Sequence, residues 1–242
     1  MSAQSRTARP SKVGRPRKQA RRSSQDPKEE ILEVSAALFQ EFGFTGTTTR
    51  QIAAAAGLQQ GSLFHYFPRK TEIITTLLDR TLGQALRFSQ EKLANFDGPI
   101  EAQLCLLTYR DAYAICSSPH NLAALWFLPE VSEGPEFSAY RSKREQLRGV
   151  FASYVEAGIE AGVFVREDAR VLTNLVFGLV ESSIWWFRRG QDEPSVAAMQ
   201  ICTSALRLVL TAPDRADQVA QDALQDARSG GLLDDDPRDD HG

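Results

Sequence analysis

Between Gly57 and Lys70 the chain reads Gly-Leu-Gln-Gln-Gly-Ser-Leu-Phe-His-Tyr-Phe-Pro-Arg-Lys. The carboxamide of Gln60 offers a donor and an acceptor side by side, the pattern that pairs with an adenine edge in the major groove of DNA. Gln59 reaches the same groove wall, and Ser62 and His65 face outward beside it, toward base or phosphate. Gly61 carries no side chain, so the backbone there can press close to the bases. Groups suited to phosphate surround this patch. Thr47 and Thr48 stand at a helix N-terminus, where free N–H groups and the helix dipole attract an anion. Tyr66 adds a phenol and Lys70 a point charge at the next helix start, with Arg50 and Arg69 on the same track. Such contacts fix register without reading sequence.

These side chains need a rigid support, and the flanking residues supply one. Thr48 with Gln51 three residues on is a capping-box pair that starts a helix. Ile52 and Ala53 turn inward, and Gly57 sits where a left-handed stop is cheap only for glycine. Leu58 and Leu63 anchor a second short helix from about Gln59 to Phe67. Two short helices joined by a tight glycine turn form a helix-turn-helix, whose second helix enters the major groove. Pro27 starts a preceding helix whose apolar face is Ile31, Leu32, Leu38, Phe39 and Phe42, and Gly43 ends it. Phe42, Phe44, Leu58, Leu63 and Phe67 are expected to complete the small core.

The run Thr47-Thr48-x-x-x-Ile52-Ala53-x-x-Ala56-Gly57-Leu58, then Gly61-Ser62-Leu63-Phe64-His65-Tyr66-Phe67-x-x-Lys70, resembles the DNA-binding domain of the tetracycline-repressor (TetR) family. The likeness is strong over about residues 28–75; beyond them only length and all-helical texture match. It implies an all-α fold, with an N-terminal three-helix helix-turn-helix domain and a C-terminal helical ligand-binding and dimerisation domain. It also implies a homodimer on palindromic double-stranded DNA, usually a repressor, controlled by a small-molecule effector. Among the reading residues the likeness singles out Thr47, Gln60, Gly61, Tyr66 and Lys70. Gln59 departs from the family's usual capping Ser or Thr, Phe64 from a common tyrosine and Thr49 from an apolar residue.

Four segments are expected: a basic arm over 1–26, a DNA-binding domain over 27–72, a helical body over 73–212 and an acidic, mostly disordered tail over 213–242. Within the tail, Val219, Ala220, Ala223, Leu224 and Ala227 are expected to form one weak amphipathic helix that Ser229-Gly230-Gly231 stops. The arm contains Gly14-Arg15-Pro16-Arg17-Lys18. There Arg15, Arg17 and Lys18 either follow an A·T-rich minor groove, as an AT-hook does, or collect phosphates without reading sequence. The net charge of −3 conceals this basic end and an opposing tail with nine aspartates. In the body, helices are expected over 99–117, 119–130, 135–162, 168–189 and 194–211, after a fourth helix from Lys70 to about Asn95. By family likeness that fourth helix ties the DNA-reading head to the body and transmits the signal. The last two body helices are apolar on more than one face, which calls either for burial within the monomer or for a symmetric interface, the arrangement the family likeness implies. Leu172, Leu175, Leu179, Val196, Met199 and Leu206 are its candidate residues. Tyr109, Tyr113, Trp126, Phe127, Phe151, Tyr154, Phe177 and Trp185 are candidates to line an effector site, with His120, Asn121, Arg110, Asn174 and Glu181 as polar anchors. That composition suits an apolar or aromatic ligand.

An enzyme finds little support. The chain lacks a nucleophile elbow, a glycine-rich phosphate loop and metal-spaced Cys/His clusters, so no metal or cofactor is expected. Three cysteines in apolar stretches read as buried thiols, and no span of ~20 uncharged residues occurs, so no membrane association and a cytoplasmic location are expected. The remaining alternative is an architectural DNA-binding protein without a ligand, using its arginine-rich arm for unspecific coverage.

Overall fold

Asp26 caps the first helix with a carboxylate that accepts from the backbone N–H of Lys28 at 3.0 Å, ahead of a proline that needs no partner. The computed structural model describes residues 26–118 and 120–233, so Arg15, Arg17 and Lys18 lie outside the described residues. Helix α1 (Pro27–Gly46) buries Ile31, Leu32, Ser35, Ala36 and Phe39, and breaks its direction at Gly43, where φ is +73°. That reversal swings Phe44 into the core and leaves Phe42 48% exposed, correcting the expectation that both rings are buried. Helix α2 (Thr49–Ala55) begins with both halves of the capping box in place. It ends at Gly57, φ +68°, with Leu58 N–H donating to Ala53 O at 2.8 Å. Helix α3 (Gln60–Tyr66) follows, with Gln59 at its start and no side-chain cap there.

Helix α4 (Lys70–Arg87) continues without a break into a wide π turn over Phe88–Lys92 and a 3-10 turn over Leu93–Asn95. The body is arranged around α5 (Ile100–Ser117), which is buried along most of its length and packs on α4, α7 (Ser138–Glu160), α8 (Ala169–Trp186), α9 (Pro194–Val209) and α10 (Ala216–Ser229). The single helix expected over 119–130 is instead a 3-10 stretch, Leu122–Phe127, and the four-residue α6, Pro129–Ser132. The proline explains the division, since it holds the preceding Leu128 in an extended conformation at φ −70°, ψ 127°.

The amphipathic helix expected from Val219 to Ala227 forms as α10, with Gly230 at its end. Helix α10 buries Ala216, Val219, Ala220, Ala223, Leu224 and Ala227 against α5 and α9. Its small alanines allow close approach, and Arg207 fixes it with two hydrogen bonds to Asp217 at 2.7 and 2.8 Å. After α7 the chain folds Phe164 onto Gly158, where a Cβ would stand 2.0 Å from the ring. Val165 N–H then donates to Val209 O at 2.8 Å and Thr211 N–H to Val163 O at 3.0 Å. This clasp includes the isolated Phe164–Leu210 bridge; no strands occur among the described residues.

Candidate nucleic-acid interface and effector cavity

Leu63, fully buried, and Phe67 pin α3 to the head core, and everything they leave outside is polar or aromatic. Gln59, Gln60, Gly61, Ser62, Phe64, His65 and Tyr66 are all exposed. Gln60 Nε2 donates to Thr49 Oγ1 at 3.0 Å, so its carboxamide is held on the rim between α2 and α3 while its oxygen stays available. His65 and Tyr66 stand edge to face, 5.5 Å between ring centres. A Cβ at Gly61 would meet nothing within 4 Å, so the fold itself does not demand glycine there. Thr48 is exposed: its N–H donates to Gln51 Oε1 at 2.8 Å, and Gln51 N–H donates to its hydroxyl at 3.2 Å. Arg50 is exposed on the next turn.

Two expected phosphate contacts are placed otherwise. The side chain of Thr47 is buried, and its hydroxyl donates to Gly43 O at 2.8 Å and Leu38 O at 3.0 Å, tying the kinked end of α1. Lys70 Nζ donates to Phe44 O at 2.6 Å and Thr47 O at 2.7 Å, and stands 4.3 Å from the centre of the Phe44 ring. A helix end leaves carbonyls without partners, and here the ammonium supplies one. Burial holds the Lys70 pKa below the usual lysine value, with Glu130 pulling the other way. Lys70 is therefore a clamp between α1 and α4 rather than a free surface charge.

Head and body also meet elsewhere. Thr45 donates to Glu130 at 2.9 Å, Arg80 to Glu29 at 2.5 Å, and the buried Phe137 ring meets Phe44 edge-on at 5.9 Å. The segment over 122–137 thus touches α1 on one side. On its other side Ala123 and Trp126 form part of a cavity of about 40 Å³. Leu82, Asp111, Ile115, Tyr140, Arg144 and Glu181 are among its other lining residues.

Of the eight aromatics expected in an effector site, Trp126 and Phe177 line this cavity. The other six do not. Tyr109 is buried and stacks on Tyr113 at 6.0 Å, and Phe151 packs edge-on against Phe177 at 5.4 Å in the core. Tyr154 is half-buried outside the lining, and Phe127 pairs with Trp185 on the surface at 5.2 Å. Glu181 is the one expected polar anchor in the lining; Asn121 instead donates to Ile184 O at 3.0 Å and Asn174 accepts from Arg148 at 2.9 Å. Sequence reasoning missed Asp111, Tyr140 and Arg144. A lone acid within the apolar run Leu104–Cys116 was the available signal for Asp111. Burial, then the nearby Glu181, pushes its pKa up to about 7, with Arg144 acting in the opposite sense. Arg144 pairs with Glu181 and lies over the rings of Trp126 and Phe177, 4.9 and 5.1 Å from their centres.

The interface candidates divide as well. Leu172 and Leu206 are buried inside this one chain and offer no surface; α9 owes part of its second apolar face to α10. Leu175 is 48% and Val196 54% exposed, with Leu179 and Met199 half-buried near them in sequence. Val171, Trp185 (68% exposed) and Trp186 extend the exposed apolar side of α8. No helix of the described residues is long and apolar enough to cross a membrane.

Comparison with known proteins agrees with this geometry. The family profile "Bacterial regulatory proteins, tetR family" matches residues 31–77, and "Tetracyclin repressor-like, C-terminal domain" matches residues 97–209. The HTH-type transcriptional repressor KstR2 of Mycobacterium tuberculosis is 30% identical over 188 residues, 75% of this chain and 90% of the relative. The crystal structure of Mycobacterium smegmatis AmtR is similar with a TM-score of 0.73 at 30% identity, covering 89% of this chain and 99% of that one. AibR, solved with isovaleryl coenzyme A and operator DNA, shares the fold at a TM-score of 0.62 and 16% identity, over 74% of this chain and 97% of its own. With its helix-turn-helix head and helical body, the chain belongs to the TetR family of DNA-binding transcriptional regulators.

Proposed function

We propose that the protein is a repressor that binds a palindromic operator as a homodimer and is released by a small molecule held in its body. The observation that carries this reading is the exposed polar face of α3, with Gln59, Gln60, Gly61, Ser62 and His65 presented by a helix anchored through Leu63. A base-reading surface on one head covers one half-site, and two heads must stand about 34 Å or a multiple apart to read both. The exposed apolar side of α8 and α9 around Leu175, Val196 and Trp185 supports the twofold contact that would hold them so. Thr48, Arg50 and Tyr66 serve as the flanking phosphate contacts, and Arg15, Arg17 and Lys18 extend the grip from the arm.

The cavity gives the reading its switch. At about 40 Å³ it holds a few water-sized groups, so an effector of ordinary size must displace a wall. The weakest wall is the 3-10 stretch carrying Ala123 and Trp126, which runs on to Glu130 and Phe137 at the head. Movement there, together with a tilt of α4, changes the spacing of the two heads. KstR2 is a repressor and AibR was solved with both an acyl-CoA and its operator, which supports a repressor with a bound effector here too.

Sedimentation of the full chain and selection from a randomised duplex pool test the reading together. A dimer that selects an inverted repeat is the expected result, and Leu175→Asp should yield monomers that lose it. A wild-type monomer covering duplex DNA without preference would favour the architectural alternative.

A further inference from the structure

The charged lining of the cavity is unbalanced: two carboxylates, Asp111 on α5 and Glu181 on α8, face one guanidinium, Arg144 on α7. Arg144 is committed to Glu181 and to the faces of Trp126 and Phe177. Asp111 is 6% exposed, and among the described residues no hydrogen-bond donor reaches its carboxyl. A buried carboxylate that shares its one nearby guanidinium with a second acid and accepts no hydrogen bond is costly, and a protein keeps one where something brings the charge. We propose that Asp111 is the counterion for a ligand ammonium, so that the effector is an organic amine with its apolar body against Trp126, Tyr140 and Phe177.

This assignment rests on the reading that the body holds an effector. One positive charge would bring the lining to neutrality, whereas a carboxylate or a phosphate-bearing thioester would add a third negative charge beside two. The aromatic rings that already face the Arg144 guanidinium suit a cation equally well. The present volume accommodates a nitrogen head group, and the body of the amine would displace Trp126 and its 3-10 stretch.

The same carboxyl fixes the pH dependence. Tyr140 and Arg144 on α7 and Glu181 on α8 face it; Asp79 on α4, near Tyr140, is held by Lys143 at 2.6 Å. With the carboxyl half-protonated at about pH 7, an ammonium must expel its proton at lower pH. Amine affinity should therefore rise about tenfold from pH 6 to pH 8, flattening above pH 7.

Calorimetry on the full chain with four probes tests the proposal: 3-phenylpropylamine, 3-phenylpropan-1-ol, 3-phenylpropanoate and isovaleryl coenzyme A. The amine should bind at least about tenfold more tightly than the alcohol, and the two anions should bind more weakly still. Asp111→Asn, with its helical circular-dichroism spectrum as the check on folding, should erase both the amine preference and the pH slope. Amine and alcohol binding alike, preference for either anion, no amine binding, or a slope that survives in Asp111→Asn would each overturn the assignment. Fluorescence anisotropy with the selected inverted repeat separates the two levels of the argument. Release by the thioester without amine binding leaves the effector reading standing and sinks the amine site. Specific amine binding that leaves the duplex bound supports the site and sinks its role as the effector site.

Discussion

Replacing Lys70 by methionine separates a clamp from a phosphate contact. The substitution keeps most of the aliphatic stem but removes hydrogen bonds of 2.6 and 2.7 Å to Phe44 O and Thr47 O and a cation 4.3 Å from the Phe44 ring. A hydrogen bond from a charged donor contributes about 1.5–3 kcal/mol, and a cation over a ring about 0.5–1 kcal/mol when exposed. Lys70 is only partly buried and its ammonium is costly to desolvate, so the net loss should be about 2–4 kcal/mol rather than the full sum. In a chain of this size that corresponds to roughly 4–16 °C in melting temperature. Differential scanning calorimetry should show the fall, with the low-temperature part of the endotherm affected first if the head loosens before the body. Affinity for DNA should then be measured well below the melt, over a range of salt. Unchanged stability together with a slope of log Kobs against log salt smaller by about 0.9, the mark of one lost phosphate contact, would refute the clamp.

Gly61→Ala should leave the melting temperature unchanged or slightly higher, since its added methyl meets nothing within 4 Å, yet reduce operator affinity at least tenfold in a mobility-shift titration. Equal affinity would show that the backbone at Gly61 does not approach DNA closely. Gly158→Ala forces a methyl to within 2.0 Å of the Phe164 ring and should cost about 1–3 kcal/mol in urea unfolding; an unchanged midpoint would contradict that packing. The folded-state pKa of Asp111 is raised from 3.8 to about 7, so its stabilising contribution is complete below pH 3.8 and is lost as pH rises through 7. Between pH 5 and pH 8 the wild-type chain should lose about 3 kcal/mol relative to Asp111→Asn, and parallel stability curves would reject the assignment.

What the sequence made legible was mostly chemistry within a few residues of itself. The Thr48–Gln51 box, the left-handed Gly57 and the uncapped Gln59 all follow from local hydrogen bonding and backbone sterics. The direction of Lys70 did not, because its partners lie 23 and 26 residues earlier on the end of another helix. Aromatic residues at helical spacing could not be sorted into core, surface and cavity without their neighbours: Phe151, Trp185 and Trp126 look equivalent in sequence and occupy all three. Helix α10 is legible as an amphipathic stretch in Val219, Ala220, Ala223, Leu224 and Ala227, but what it packs against is not. Four of its six buried residues are alanines, whose low hydropathy hides how closely they let α5 and α9 approach.

The placement of that last helix bears on how the molecule could be shortened. Composition invites a cut at Ala212, just before the acidic stretch begins. Such a cut would strip the sheath from α9 and bare a second greasy strip opposite the one around Val196. Two sticky sides on one subunit favour chains of molecules over closed pairs, so the shortened protein would report the wrong stoichiometry.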